Sequence, residues 1–378
     1  LGKNRKISII TVVYNAADTI EQTIKSVIRQ KTENVEYILL DGMSTDGTYE
    51  IIRKYKDDVD IIVHEKDNGL YDALNKGIML ASGEIIGIIH GDDYYADGTI
   101  SKVVAYYDTQ DADILYGDAL WFDKSGEDGL YACYNIEELW YRMAVPHPAV
   151  FVRKEAYLKH GLFDVRYAIA ADYELMLRMY SEKARFVHVD EVLAYFRKGG
   201  LSAKRQEECI EEAKSISLRY IGRCGEPDKW LHKIEETYAI RKFEQLSERE
   251  EGLLIQGIER FMGNEGGNLT IFGIGKWGKR CFQVLESSNI EVDSFVDNNP
   301  ARWGERYHGI LIKSPDTLVD YCGSVLIATS KYEDEIKRQL EGMSKKISIL
   351  SLSDWAREVL DCLQYIEWEP ETYENDIG

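Results

Sequence analysis

The sequence predicts an α/β protein: a largely buried parallel sheet with a ligand site at the carboxyl ends of its strands, followed by a smaller α/β domain. Three observations predict this. Ile85-Ile86-Gly87-Ile88-Ile89 is an unbroken run of apolar residues and glycine, the pattern of a strand buried on both faces, and it ends in His90-Gly91-Asp92-Asp93. Strand and helix patterns alternate through the first half of the chain. A glycine-rich strand-to-helix turn recurs late, at Gly273-Ile274-Gly275-Lys276-Trp277-Gly278. In open α/β sheets ligands lie outside the carboxyl ends of the strands, so Asp92 and Asp93 stand where a ligand would sit. Adjacent carboxylates offer the oxygen donors that Mg²⁺ or Mn²⁺ takes, commonly together with substrate phosphates. Gly-Asp-Asp is also good turn chemistry, and the pair alone does not choose between these roles.

Composition narrows the classes. The 378 residues suffice for two domains, each with its own core. A net charge of −20 argues against a nucleic-acid partner, which calls for a basic face. It also gives no help in docking to an anionic membrane. No apolar run approaches the roughly 20 residues of a membrane span, so any membrane association is expected to be peripheral. The six cysteines are scattered, with no CxxC pair, which fits a reduced, cytoplasmic protein.

Taken in order, Ile7 to Asn15 reads as a first strand containing Thr11 and ending at Tyr14 and Asn15. Asp18 and Glu21 look like a capping box for a helix through Ile20, Ile24, Val27 and Ile28. Tyr14 can stack on a ligand ring or simply pack in a turn. Val35 to Asp41 is a second strand ending in a carboxylate, which can accept a hydrogen bond from a base N–H such as uracil N3. Asp46 reads as a cap ahead of a helix from Thr48 to Tyr55. After a short strand at Ile61 to His64, Asp67-Asn68-Gly69 forms a turn into a helix whose apolar face is Leu70, Ala73, Leu74, Gly77, Ile78 and Ala81. Asn75 and Lys76 lie off that face, placed either for a nucleotide or for solvent.

These pieces together carry a resemblance. Thr-Val-Val-Tyr-Asn, then Asp-Gly-Met-Ser-Thr-Asp-Gly-Thr, then Asp-Asn-Gly-Leu-Tyr-Asp-Ala-Leu-Asn-Lys-Gly, then Gly-Asp-Asp resembles the family 2 glycosyltransferases of the GT-A fold. The likeness is nearest to the branch that builds bacterial surface polysaccharides, and it spans about residues 5 to 205. It implies that Asp41 contacts the base. Thr11, Tyr14, Asp67, Gly69, Asn75, Lys76 and Asp92 would line the nucleotide-sugar, with Asp92 and Asp93 on the metal. Relatives commonly carry Arg where this chain has Leu74, and Lys76 is the candidate replacement for that charge.

Further on, Ile114 to Asp118 reads as a strand, and Val145 to Val152 as a turn leading into a strand. His147, between Pro146 and Pro148, would face the acceptor or donor sugar, or serve as a turn residue. At Ala170-Ala171-Asp172-Tyr173-Glu174 a helix begins where the resemblance places the catalytic base, usually as Glu-Asp. The second acid is kept as Asp172, and Glu174 is its substitute. The plain alternative for Asp172 is a helix-start acid. A histidine expected near Arg197 to Ser202 as a further metal ligand is missing, and His188 reads as structural.

The domain expectation is a GT-A domain over 1–205, a helical connector over 206–262, a Rossmann-like domain over 263–352 and a helical, acidic tail over 353–378. In the third segment Gly273, Gly275 and Gly278 form a GxGxxG, with Asp297 ending a strand about 20 residues on. The glycines can bind a nucleotide, or serve only the tight turn. Function is expected to be inverting, metal-dependent transfer from a nucleotide-sugar, UDP-sugar first and GDP- or dTDP-sugar as alternatives. The acceptor is a glycan or lipid-linked glycan, met at the inner face of the plasma membrane, and a homo-oligomer is open. The competing class is an NAD-dependent oxidoreductase using the late glycine motif, or an appended module for assembly.

Overall fold

The computed structural model describes residues 5–123, 126–131, 135–245, 251–262, 269–286, 288, 290–329, 332–344 and 346–366. Residues 263–268, which the glycines of Gly263-Asn264-Glu265-Gly266-Gly267-Asn268 mark in sequence as a flexible joint, and the acidic tail from Glu367 lie outside these residues. The chain divides into two compact units, Leu1–Ile234 and Glu235–Gly378.

The first unit opens with β1 (Ile7–Val13), α1 (Ile20–Ile28), β2 (Val35–Asp41), α2 (Thr48–Ile52), β3 (Ile61–His64), α3 (Leu70–Leu80) and β4 (Ile85–Ile88). Every residue of β1 and β4 is buried, as their continuous apolar runs require. β5 (Tyr94–Tyr95), α4 (Thr99–Thr109), β6 (Ile114–Asp123), β7 (Gly126–Tyr131), β8 (Val150–Arg153), α5 (Lys154–His160), α6 (Ala171–Ser181) and β9 (Phe186–Arg197) follow. Among the described residues these strands form one sheet in the order β3-β2-β1-β4-β8-β6-β9-β5, with β7 hydrogen-bonded to β6. β1 pairs in parallel with β2 and β4, while β8 runs antiparallel to β4 and β6. The sheet is therefore mixed: parallel from β3 to β4 and again between β6 and β9, and antiparallel where β8 joins β4 and β6 and where β5 joins β9. Its strand β1 leads to Tyr14, β2 ends at Asp41, and β4 runs on toward Asp92, so these residues gather at one edge.

The start of α1 differs from the capping-box expectation. The helix begins at Ile20 with Thr19 as its N-cap residue, and no side chain caps it. Thr19 instead donates to the Gly91 carbonyl at 2.8 Å, and Glu21 accepts from the Tyr55 hydroxyl. A tertiary bond to the acid-bearing loop has displaced the local cap.

α7 (Leu201–Lys204), α8 (Gln206–Tyr220) and α9 (Pro227–Gln245) come next. The first unit closes within α9, well beyond residue 205, because α8 packs its Ile210, Ala213, Ile216 and Tyr220 inward and bonds to α6. The Tyr173 hydroxyl meets Ser217 Oγ at 2.8 Å, and the Tyr220 hydroxyl donates to Glu174.

The second unit holds α10 (Glu251–Met262), β10 (Leu269–Phe272), α11 (Lys276–Glu286), β11 (Val292–Val296), β12 (Arg306–Tyr307), β13 (Ile310–Lys313), β14 (Gly323–Ile327), α12 (Glu333–Met343), β15 (Ile347–Ser351) and α13 (Leu352–Ile366). Its sheet runs β12-β13-β11-β10-β14-β15, parallel except for β12. Trp355 is fully buried in its core and donates its indole N–H to the Leu254 carbonyl at 2.9 Å.

Candidate active site

The end of β2 gathers polar side chains around a buried carboxylate. Asp41 is 1% exposed. Its Oδ2 accepts from Ser44 N at 3.1 Å and from His64 Nδ1 at 2.5 Å, while Oδ1 is buried without a partner. A buried carboxylate oxygen without a donor is costly, and it marks a place where a ligand N–H would be welcome. His64 is steadied by stacking on Tyr49, with centroids 3.6 Å apart. Gly42 explains how the next acid comes close. A Cβ there would stand 2.6 Å from Asp67 Oδ2 and 3.6 Å from the Tyr14 ring. Tyr14 is 65% exposed, its ring uncovered beside Asp67. Asp67 Oδ1 accepts from Gly69 N at 2.9 Å, and Gly69 takes φ +115°, a conformation costly for any side chain. Tyr14, Asp41, Asp67 and Gly69 are thus brought together.

Thr11 is not part of that surface. It is fully buried in β1, with Oγ1 3.1 Å from the Tyr37 hydroxyl. Asn75 gives both ends of its amide to the Phe163 backbone, each bond 2.9 Å, and so clamps the approach to α6 onto α3. Leu74 is fully buried, so the absence of an arginine there reflects a core position, and Lys76 is paired with Glu65.

The two acids after β4 part company. Asp93 is 2% exposed, and its Oδ1 accepts from Arg197 N at 2.8 Å. Burial, reinforced by the charge of Asp92, raises its pKa well above the usual aspartate range. Asp92 is only partly buried, and its Oδ2 lies 3.6 Å from where a Gly200 Cβ would stand. The expectation that Asp93 shares a metal with Asp92 meets this geometry: Asp93 is turned into the protein. The stretch where the resemblance calls for a histidine ligand does reach Asp92, but presents Gly200. Among the described residues no group of three or more His, Cys, Asp or Glu side chains could hold a metal. One carboxylate with a substrate diphosphate still meets the usual minimum for Mg²⁺, so Asp92 fits.

Arg197 was not singled out by sequence. Its guanidinium donates to the Asp92 carbonyl at 3.0 Å and to Gln22 Oε1 at 3.0 Å, and covers the Phe122 ring at 4.4 Å. It thereby fixes the backbone that carries both acids. Only the antiparallel return of the chain into β9 brings it there, so no local pattern signals it.

Asp172 lies in the first turn of α6. Its Oδ1 accepts from Tyr173 N at 2.8 Å and stands 3.2 Å from the Tyr71 hydroxyl. Burial raises its pKa from the ordinary 3.8. Beside it, His90 and His147 stack with centroids 5.7 Å apart, and His147 Nδ1 is buried without a partner. Burial lowers both imidazoles to about 4, so both are neutral near pH 7. The charges of Asp92 and Asp172 both bear on His90. His90 was read from sequence only as part of the strand end. Glu174 lies elsewhere. It is 1% exposed and is held by Arg178 at 2.8 Å and by the Tyr220 hydroxyl, so it cannot stand in for Asp172 without breaking a buried ion pair.

Comparison with known proteins decides the family. Residues 8–139 match the model for glycosyl transferase family 2. A Mycobacterium bovis PGL/p-HBAD biosynthesis glycosyltransferase is 31% identical over 204 residues, covering 52% of this chain and 78% of the relative. This chain belongs to glycosyl transferase family 2. The transferase also shares 27% identity with the Escherichia coli enzyme UDP-Glc:alpha-D-GlcNAc-diphosphoundecaprenol beta-1,3-glucosyltransferase, over 56% of this chain and 87% of that one. It is similar in fold to S. aureus TarS 1-349, with a TM-score of 0.51 at 18% identity over 68% of this chain and 77% of the TarS chain.

The second unit of the transferase matches a different family model, C2185-like, N-terminal, over residues 267–349. Here the glycine motif has internal reasons. Gly273 takes φ +99°, and a Cβ on Gly278 would fall 1.9 Å from the Gly273 carbonyl oxygen. Asp297 accepts from Ile274 N at 3.1 Å through Oδ2 and from Asn299 N at 2.8 Å through Oδ1. The acid that would hold a ribose is bonded to the glycine turn itself. Gly275 has open space around it.

Proposed function

We propose that the transferase is an inverting, metal-dependent enzyme that moves a sugar from a UDP-sugar to a glycan or lipid-linked acceptor. The observation that carries this is the unpartnered, buried Asp41 oxygen at the end of β2, together with Asp92 and Asp172, whose charges both act on His90, the partner of His147 in a ring stack. Asp41 Oδ1 accepts the uracil N3–H, and the exposed Tyr14 ring offers a stacking face. Asp92 would hold Mg²⁺ or Mn²⁺ beside the diphosphate, and the ion would supply positive charge against the departing nucleoside diphosphate. Asp172 takes the proton of an acceptor hydroxyl as that oxygen attacks the anomeric carbon from the face opposite the leaving group. The new C–O bond forms as the bond to the diphosphate breaks, and one displacement inverts the configuration. His90 and His147, both neutral, have ring nitrogens suited to sugar hydroxyls. The acceptor class is supported by the E. coli relative, whose name specifies a diphosphoundecaprenol-linked sugar. Among the described residues no helix is long and apolar enough to cross a membrane, which suits an enzyme that meets such an acceptor from the cytoplasmic side.

Calorimetric titration of UDP with Mn²⁺, repeated with EDTA, tests the reading. Binding that requires the metal is expected, and equal binding in EDTA would contradict it. Asp41→Ala is expected to weaken UDP binding about tenfold and to erase the preference for UDP over CDP, because cytosine lacks the N3–H that the carboxylate accepts. An unchanged UDP/CDP ratio would remove Asp41 from base recognition. For the oxidoreductase alternative, NADH titrated up to about millimolar concentration, where binding is worth only about 4 kcal/mol, is expected to give no heat and no fluorescence change. Saturable NADH binding would reopen it.

A further inference from the structure

The helix that follows the sheet does more than connect. Glu212 on α8 accepts three consecutive backbone N–H groups: Ala168 at 2.7 Å, Ile169 at 2.9 Å and Ala170 at 2.8 Å. Ala170 is the N-cap residue of α6, and Asp172 follows two positions later. Ala170 makes no side-chain cap bond, so local sequence does not set how α6 begins. The same segment is held from the opposite side by Tyr71, whose hydroxyl donates to the Ile169 carbonyl at 2.5 Å and stands 3.2 Å from Asp172 Oδ1. An ionised carboxylate accepting backbone N–H groups makes strong, charge-assisted bonds, and convergent N–H groups form a concavity suited to an anion. Ile169 and Ala170 are buried, so without Glu212 their N–H groups would lose a partner in a place where water is scarce.

We propose that Glu212 is a positioning residue for transfer. It fixes the path of residues 168–170 and thereby sets the carboxylate of Asp172 against the acceptor hydroxyl. This role rests on Asp172 being the base. It makes α8, which sequence assigns to a connector, part of the catalytic frame, because displacing a base by about 1 Å can cost on the order of 10²-fold in rate.

The test uses the full chain carrying Glu212→Ala, Glu212→Gln or Asp172→Asn. Glu212→Ala is expected to bind UDP and donor within about threefold of the parent while kcat falls on the order of 10²-fold. Glu212→Gln, whose amide oxygen still accepts, is expected to recover part of the loss. Hydrogen exchange is expected to quicken at the 168–170 amides in Glu212→Ala and to leave the β1 and β4 amides protected. Parental kcat in Glu212→Ala beside an inactive Asp172→Asn overturns the positioning role alone. So does a loss of UDP affinity equal to the loss of kcat. Parental turnover in Asp172→Asn overturns the base assignment and this role with it, while the exchange rates still report whether Glu212 holds the segment.

Discussion

Asp172→Asn is expected to bind UDP and Mn²⁺ as the parent does and to lose transfer by on the order of 10³-fold, the range of a positioned general base. The substitution preserves shape. The amide oxygen can still accept from Tyr173 N, so the start of α6 should hold. What is lost is the ability to take a proton. The pH profile gives an independent check. Burial raises the Asp172 pKa above 3.8, so the protonated, inactive form persists to higher pH than for an exposed aspartate. The rate should therefore fall as pH decreases through that raised value, and the acid limb should vanish in the residual activity of Asp172→Asn. His90 and His147 lose their protons near 4 and stay neutral over the working range, so an acid limb near the ordinary imidazole value of 6.5 would point to a different group. Normal turnover in Asp172→Asn would end the base assignment.

The second large effect separates the acid pair. Asp92→Ala is expected to lower Mn²⁺-dependent UDP affinity on the order of 10²-fold, since it removes the carboxylate proposed to hold the metal beside the diphosphate. UDP binding measured in EDTA should barely change. Asp93→Asn should behave differently. Its Oδ1 holds Arg197 N, and its pKa is already raised by burial, so a neutral side chain of the same shape leaves that bond in place. Metal dependence should survive, with a melting temperature near that of the parent. If Asp93→Asn loses metal-dependent binding as fully as Asp92→Ala, both acids serve the metal, and the inward placement of Asp93 does not persist in the bound state.

The family was legible because its signals are local. The buried run at Ile85–Ile89, the acid at the end of β2, and the Asp-Asn-Gly turn into α3 each follow from a few adjacent residues and their periodicity. Asp172 was legible locally only as an acid in the first turn of a helix, and its reading as a base came from the resemblance. By itself, then, the sequence determined the α/β class, the family and the edge of the sheet at which the acids meet.

Which of those side chains are already bonded within the protein was decided only by tertiary structure. Asp92 and Asp93 are neighbours in sequence, yet β9 returns to bond one of them through Arg197 N and leaves the other partly open. Asn75 lies off the apolar face of α3, but Phe163, far along the chain, takes its amide. Glu174 resembles a reserve base until Arg178 and Tyr220 close around it. Asp297 fits a dinucleotide fingerprint by spacing, and its carboxylate is bonded to the glycine turn. Arg197 and Glu212 carry no local signature, because each acts on backbone that is distant in sequence. A hydrogen-bonding group has few bonds to give, and the partners that claim them are set by which strands and helices the fold makes neighbours.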